Sequence, residues 1–173
     1  GNAQKTEYTL LKLKYKDNEY IIVATLRPET VFGQTNVWID NDINYVKMKV
    51  DDEIWIGSSE FYKKLSYQKD NIQKISEIKG SDLVGEYVIA PKANKKIIIL
   101  PSLFCDPDIG SGIVTSVPSD APADYVGLYD LQQSKELCDK YNLDYETIKS
   151  IKPIPIIKSK GFGDYPAIEI SNQ

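Results

Sequence analysis

Short alternating runs of apolar and polar residues, each ended by turn-forming residues, constrain the fold of this chain more than any other feature. Such runs are typical of β-strands. Strands this numerous and this short favour a closed or nearly closed antiparallel barrel over a doubly wound sheet. Lys16-Asp17-Asn18 and Asp51-Asp52 are predicted hairpin turns. The pattern predicts strands at 8–15, 19–25, 37–39, 45–50, 53–56, 74–79, 86–90, 95–100, 112–117, 154–157 and 167–170.

Helical periodicity occurs at two places. Residues 58–67 have a serine at their head as a cap candidate, and residues 123–142 repeat Leu and Tyr at near-helical spacing. Pro122 and Asp124 are of types that favour a helix start. The predicted fold class is therefore α+β, a barrel-like sheet with a few flanking helices.

The length of 173 residues is sufficient for one domain with its own core. We expect a single domain over residues 5–173, with residues 1–4 interpreted as an expression scar. The last residues run straight off a predicted strand, which indicates a piece of a longer chain.

Composition restricts the chemistry available to the chain. It has no histidine and only two cysteines, Cys105 and Cys138, so Ser-His-Asp and Cys-His catalysis, His-ligated metals and four-cysteine zinc sites are excluded. We expect no metal and no cofactor. Both cysteines are interpreted as ordinary small side chains without a reactive role.

Charge and hydropathy indicate the cellular setting. The net charge of −4 gives no basic field for nucleic acid, and the cysteine usage points to the cytoplasm. No stretch approaches the roughly 18 apolar residues of a membrane span, so we expect no membrane association. The isolated domain is expected to be monomeric.

Residues 25–36, TLRPETVFGQTN, form the first unusual segment, here called the threonine-rich segment. It leaves a predicted strand and places hydroxyls, one carboxylate and the chain's single arginine, Arg27, within a few positions. Spacing alone favours a strand-to-loop turn in which Arg27 and Glu29 form a surface pair worth ~0–1 kcal/mol.

Residues 110–125, GSGIVTSVPSDAPADY, form the second, here called the glycine–aspartate segment. Its Gly-Ser-Gly is more typical of a tight turn than of a phosphate cradle. Asp120 and Asp124 fit as helix-capping acids. A carboxylate in a first helical turn is stabilised by ~0.3–1 kcal/mol, so Asp124 should stay ionised and suit the binding of a cation.

Together the two segments resemble the editing domain of leucyl-tRNA synthetases of the eukaryotic cytosolic and archaeal type. Similarity also runs through residues 53–56, 67–68, 81–85 and 155–163, and so covers nearly the whole chain. The resemblance implies the barrel-like editing fold shared by the valyl, isoleucyl and leucyl enzymes. It also implies hydrolysis of the ester between a wrong amino acid, such as norvaline or isoleucine, and the 3′-terminal adenosine of tRNA(Leu).

The resemblance also implies residue roles. Thr30 would be the barrier that turns the leucyl side chain away, with the stiffness of a β-branched residue. Asp124 would bind the α-ammonium of the substrate. Thr25 and the Leu26 backbone would orient the attacking water and the ester carbonyl.

Other positions would line the substrate pocket. Thr115 and Val117, two apart on one strand, would share a face; Ser116 and Asp120 complete this part of the pocket. Arg27 would fix its loop through Glu29, with contact to a phosphate or ribose as the second alternative.

Because no histidine is present, the resemblance implies hydrolysis by a positioned water, helped by the terminal ribose hydroxyl. The expected partners are the 3′ end of tRNA(Leu) and the rest of the parent synthetase. Three alternatives stay open: an editing domain of the valyl or isoleucyl relative, a non-catalytic tRNA-contacting insertion, and an unrelated small β-barrel binding module.

Overall fold

In the computed structural model, the described residues form nine strands and five helices in one mixed α+β unit. The structure describes residues 8–28, 33–91, 94–102, 105–116 and 122–152. The strands are β1 Thr9–Lys16, β2 Glu19–Thr25, β3 Asn36–Ile39, β4 Asn44–Val50, β5 Glu53–Gly57, β6 Ile72–Lys79, β7 Tyr87–Ala90, β8 Lys95–Pro101 and β9 Val114–Ser116. The helices are α1 Ser59–Gln68, α2 Gly80–Leu83, α3 Pro122–Gln133, α4 Lys135–Lys140 and α5 Tyr145–Lys149.

Local sequence determines the two predicted hairpins. In β1 the buried Leu13 lies between the exposed side chains of Lys12 and Lys14, which is the alternation of a half-buried strand. The turns that follow β1 and β4 place Asn18 and Asp51 at φ angles of 62° and 52°, which Asn and Asp tolerate. Both hairpins are confirmed.

The sheet runs in the order β6-β4-β5-β2-β1-β7-β8-β3-β9. The expectation of a purely antiparallel sheet is wrong, because β2 pairs with β5 and β3 with β8 in parallel. These pairs join strands that are distant in sequence, and no local turn dictates their direction. Within the described residues, β6 and β9 occupy opposite ends of the order, so the sheet is barrel-like without closing.

Apolar clusters lie on both faces of this sheet. One contains Val37, Ile39 and Ile113 together with Leu13 and Ile21 and forms the interior of the barrel-like sheet. The other packs α3, α4 and α5 against the outer faces of β3 and β8. A third, smaller cluster seats α1 on β4. β3 is buried along its whole length and, like β8, contributes side chains to both the interior and the helical layer.

The helices correct one prediction and confirm another. Ser58 caps α1 as expected, its hydroxyl accepting from the Phe61 N–H at 3.1 Å. The predicted helix over 123–142 is instead two helices. Ser134 interrupts it with an extended backbone and accepts from the Leu137 N–H at 3.1 Å, so its side chain starts α4.

The remaining differences between prediction and structure concern two short helices and two predicted strands. The short helices α2 and α5 are not anticipated by the periodicity. The predicted strands at 154–157 and 167–170 lie outside the described residues. In the described part of the chain, no helix has both the length and the apolar character that crossing a membrane requires.

Candidate functional site

The two segments singled out in the sequence meet at one edge of the sheet. Asn36, the last residue of the threonine-rich segment, pairs directly with Ser116 of the glycine–aspartate segment. The connection from β2 therefore enters β3 where β9 ends, and five residues separate the end of β9 from the start of α3. Backbone pairing thus brings together two segments that lie some 80 residues apart.

A second contact joins the start of the glycine–aspartate segment to β2. The Ser111 hydroxyl, buried, donates to the Ile22 carbonyl at 2.6 Å. At Gly110 a Cβ would lie 3.0 Å from the Ala24 Cβ, so this turn rests on the strand just before Thr25. The residue is Gly because the position has a φ of +57° and no room.

Gly112 explains why a second glycine stands in the turn. Its φ is +74°, and a Cβ there would lie 2.8 Å from the Ser58 Cβ. The Tyr45 hydroxyl donates to the Gly112 carbonyl at 3.0 Å, and burial raises the pKa of this tyrosine. The Gly-Ser-Gly sequence therefore forms a tight turn, as predicted.

Thr25 ends β2 with its side chain half-buried. Its Oγ1 accepts a hydrogen bond from the Arg27 N–H at 3.1 Å, which fixes the hydroxyl oxygen where the chain leaves the sheet. Leu26 is 60% exposed at this turn. Arg27 is exposed too, and Glu29, its expected partner, lies outside the described residues.

Asp124 lies in the first turn of α3, as predicted, and is only 7% exposed. Its Oδ1 accepts a hydrogen bond from the Trp38 indole N–H at 3.1 Å. Sequence reasoning missed Trp38. The signal was a tryptophan within the apolar run 37–39, since a buried indole N–H requires an acceptor.

Thr115 and Asp124 lie on opposite faces of β3. Thr115 is buried and directly opposite Val37, whose side chain belongs to the interior cluster. Trp38, the partner of Asp124, belongs to the helix-side cluster. Both residues therefore lie beside β3, Thr115 on its interior face and Asp124 on its helix-side face.

Three predicted site residues cannot be placed. Thr30, Val117 and Asp120 lie outside the described residues. Ser116 is placed through its backbone pairing alone.

Buried amides at this edge are a further feature that the sequence analysis missed. Both polar atoms of the Gln34 side chain and the Asn36 Nδ2 are buried and have no hydrogen-bond partner within the described part of the chain. The Thr35 hydroxyl donates to the Asn36 Oδ1 at 2.7 Å. Buried polar groups are costly unless they are hydrogen-bonded, so these amides show that the interior at this sheet edge is polar.

The cysteines have an environment that suppresses reactivity. Burial raises the pKa of the Cys105 thiol to about 11, and nearby Asp40 and Asp124 contribute in the same direction. Burial also raises the pKa of Cys138, which donates to the Leu131 carbonyl at 3.2 Å. Among the described residues, no group of three or more His, Cys, Asp and Glu side chains is arranged to hold a metal ion.

Solved structures resemble this fold closely. The crystal structure of GlLeuRS-CP1 has a TM-score of 0.89 and 33% sequence identity, with 96% of this chain and 77% of that chain covered. The chain belongs to the leucyl-tRNA synthetase editing-domain family. The P. falciparum cytosolic leucyl-tRNA synthetase editing domain is similar with a TM-score of 0.80 and 25% identity, over 89% of this chain and 59% of that one.

Sequence relatives agree with this membership. The Leucine–tRNA ligase of Pyrococcus horikoshii is 43% identical over 96% of this chain, and that of Methanococcoides burtonii is 44% identical over 96%. The chain spans 18% and 17% of the length of these relatives. No family model matches the chain. Because these relatives are leucine enzymes, they favour the leucyl form of the editing domain over the valyl or isoleucyl one.

Proposed function

We propose that this chain hydrolyses the ester bond of mischarged tRNA(Leu), releasing norvaline, isoleucine or a similar amino acid from the 3′-terminal adenosine. The observation that carries the proposal is the pairing of Asn36 with Ser116, which joins the two family segments at one sheet edge. Family membership supplies the reaction class. An apolar pocket separates side chains that differ by one methylene by only ~1–3 kcal/mol, so a second, hydrolytic site has a clear purpose.

In this proposal Asp124 binds the α-ammonium group of the misattached amino acid. Its carboxylate is buried and oriented by the Trp38 indole, a neutral donor that fixes the group without cancelling its charge. A held carboxylate loses little conformational freedom when a cation binds, so the ammonium is positioned at low entropic cost.

Thr25 and the Leu26 backbone would position the attacking water and the ester carbonyl. Because the Thr25 Oγ1 already accepts from the Arg27 N–H, its own proton is directed away from that contact and can be donated to water or to the carbonyl oxygen. The water oxygen attacks the carbonyl carbon, the bond between that carbon and the ribose oxygen breaks, and a proton from the water passes to the leaving ribose oxygen. The chain has no histidine, and the neighbouring ribose hydroxyl assists this transfer.

Specificity is proposed to rest on Thr30, whose β-branched side chain blocks a leucyl γ-branch. Ser116, Val117 and Asp120 are proposed to line the pocket for the accepted side chains, together with Thr115, which lies on the opposite face of β3 from Asp124. Arg27 is proposed to fix its loop. The proposed partners are the tRNA acceptor end and the rest of a leucyl-tRNA synthetase, and the proposed location is the cytoplasm.

The central test is deacylation of norvalyl-tRNA(Leu) by the wild-type chain and by Asp124→Ala. We expect the variant to lose deacylation, whereas Asp139→Ala, an exposed acid that pairs with Lys135 in α4, should retain the wild-type rate. An undiminished rate for Asp124→Ala refutes the assigned role. Circular dichroism of both variants separates lost chemistry from lost folding.

The barrier role of Thr30 has its own matched pair of variants. Thr30→Ala should hydrolyse leucyl-tRNA(Leu), whereas Thr30→Val keeps the β-branch and should spare it. If leucyl-tRNA(Leu) survives both variants, the barrier lies elsewhere.

A further inference from the structure

A groove of about 260 Å³ lies beside the candidate site, between the start of β8 and the residues that follow α5. Its walls carry three lysines, Lys95, Lys96 and Lys152, together with Thr35 and Tyr87. Three lysines around one small groove are unexpected in a chain whose net charge is −4. Lys95 and Lys96 are successive residues of β8, so their side chains leave the strand on opposite faces.

About half of the other lysines of the described chain are neutralised locally. Seven of them bond to a carboxylate, whereas none of the three groove lysines has such a partner among the described residues. Asp144, whose carboxylate accepts from the N–H and hydroxyl of the lining residue Thr147, is engaged as the cap of α5. Among the described residues, no carboxylate therefore pairs with the lysines of the groove.

Two of the lysines are held in position by their surroundings. The Lys95 Nζ, half-buried, donates to the Gln34 carbonyl at 3.4 Å, and burial lowers the pKa of this lysine. The Lys96 Nζ lies 4.6 Å from the centre of the Tyr87 ring. Neither contact neutralises the charge, and both leave N–H donors for an anion.

The hydroxyl groups of Thr35, Thr147 and Ser150 in the groove do not compete for this role, because they donate within the protein. Thr35 donates to Asn36, and the Ser150 hydroxyl donates to the Thr147 carbonyl at 2.6 Å. The groove is thus a charge site rather than a network of neutral donors.

Its position links it to the proposed reaction. Thr35, in the groove wall, and Gln34, bonded to Lys95, both belong to the threonine-rich segment. Asn36, the next residue, is the one that pairs with Ser116. An RNA strand with its terminal adenosine at that edge must carry phosphates within a few nucleotides of it.

We propose that Lys95, Lys96 and Lys152 bind phosphodiester groups of the RNA strand that carries the 3′-terminal adenosine. This inference rests on the proposed function and adds the contact by which an acidic domain holds a polyanion. Phosphate contacts of lysine position a strand without reading its sequence, so they act on binding rather than on the hydrolytic step.

The test replaces all three lysines by glutamine and follows deacylation of norvalyl-tRNA(Leu) across salt concentrations. The matched control replaces Lys16, Lys49 and Lys79 by glutamine and so makes the same charge change. These three lysines are exposed and have no carboxylate partner in the described structure. Each single-strand phosphate contact contributes about 0.7 to the log–log salt slope, so three contribute about 2, or about 20-fold between about 50 and 200 mM salt.

We expect the groove variant to lose this part of the salt dependence through KM, with kcat unchanged, and the triple Lys→Arg variant to restore it. The control variant should keep the wild-type slope. Equal losses in groove and control variants overturn the proposal, as does a groove variant that retains the wild-type slope.

A binding measurement separates this proposal from the proposed function. Fluorescence anisotropy with labelled, uncharged tRNA(Leu) should show the same difference in salt slope between the groove and control variants. If the wild-type chain binds this RNA through the groove but does not deacylate, the proposed function fails alone. If it deacylates while the groove variants bind as wild type, the groove proposal fails alone.

Discussion

Replacing Trp38 by phenylalanine tests whether the indole N–H is what positions Asp124. The change keeps an aromatic side chain at a site that is 1% exposed and removes the donor that lies 3.1 Å from the Asp124 Oδ1. A hydrogen bond to a charged group contributes about 1.5–3 kcal/mol. The smaller ring costs roughly 1 kcal/mol more in packing, so we expect a loss of about 2–4 kcal/mol in the free energy of unfolding.

The chain contains its own matched control. Trp55 donates to the Glu53 Oε1 at 3.0 Å, so Trp55→Phe removes the same N–H from the same kind of acceptor. Here both side chains are partly exposed, and the loss should be about 1 kcal/mol or less. Denaturant unfolding of both variants gives the comparison directly.

Activity should separate the two variants further. A carboxylate that has lost its orienting donor should bind the α-ammonium less well. A loss of about 1.4 kcal/mol corresponds to about a tenfold fall in kcat/KM for norvalyl-tRNA(Leu), and Trp55→Phe should leave kcat/KM unchanged. Equal destabilisation by both variants, or an unchanged kcat/KM for Trp38→Phe, would refute the reasoning.

Three further predictions follow from the contacts described. Gly112→Ala should destabilise the chain by about 1–3 kcal/mol in denaturant unfolding, because of its φ of +74° and the 2.8 Å approach to Ser58, whereas Gly127→Ala within α3 should be neutral or stabilising. The hydrogen bonds from Trp55 and Lys12 lower the pKa of Glu53, so the stabilising contribution of this carboxylate is present above its unfolded pKa of 4.5 and is lost as the pH falls. The urea midpoints of wild type and Trp55→Phe should therefore differ at about pH 6 and converge at about pH 3. Because burial raises the pKa of Cys105 to about 11, iodoacetamide at neutral pH should leave the native chain unlabelled and label both cysteines in urea, as read by mass spectrometry.

Local patterns were sufficient to predict the elements in which one face is buried. The β1–β2 hairpin follows from the alternation around Leu13 and from the turn at Asn18, and α1 follows from its Ser58 cap. The parallel pairing of β2 with β5 was out of reach, because it depends on how a completed hairpin docks against a distant strand. The break at Ser134 was also missed, since a serine cap competes with apolar periodicity that runs through it.

The sequence marked some residues of the candidate site and not others, for the same reasons. Polar residues clustered within one segment, such as Thr25 or Asp124, were visible as chemistry. Trp38 was not, because its function lies in a single N–H within an apolar run. The edge at which the segments meet was likewise invisible, since the pairing of Asn36 with Ser116 is a matter of register.

β3 shows why register determines so much of this site. Its four residues are all buried, so the apolar pattern marks a strand but not which side chains point to which layer. Successive side chains alternate, and Val37 therefore joins the interior cluster with Thr115 opposite while Trp38 turns to α3 and Asp124. A one-residue slip would exchange these faces and separate the indole from the carboxylate. The parallel pairing of β3 with β8 across four residues holds the register that keeps the Trp38 indole at Asp124 and brings Lys95 beside Gln34.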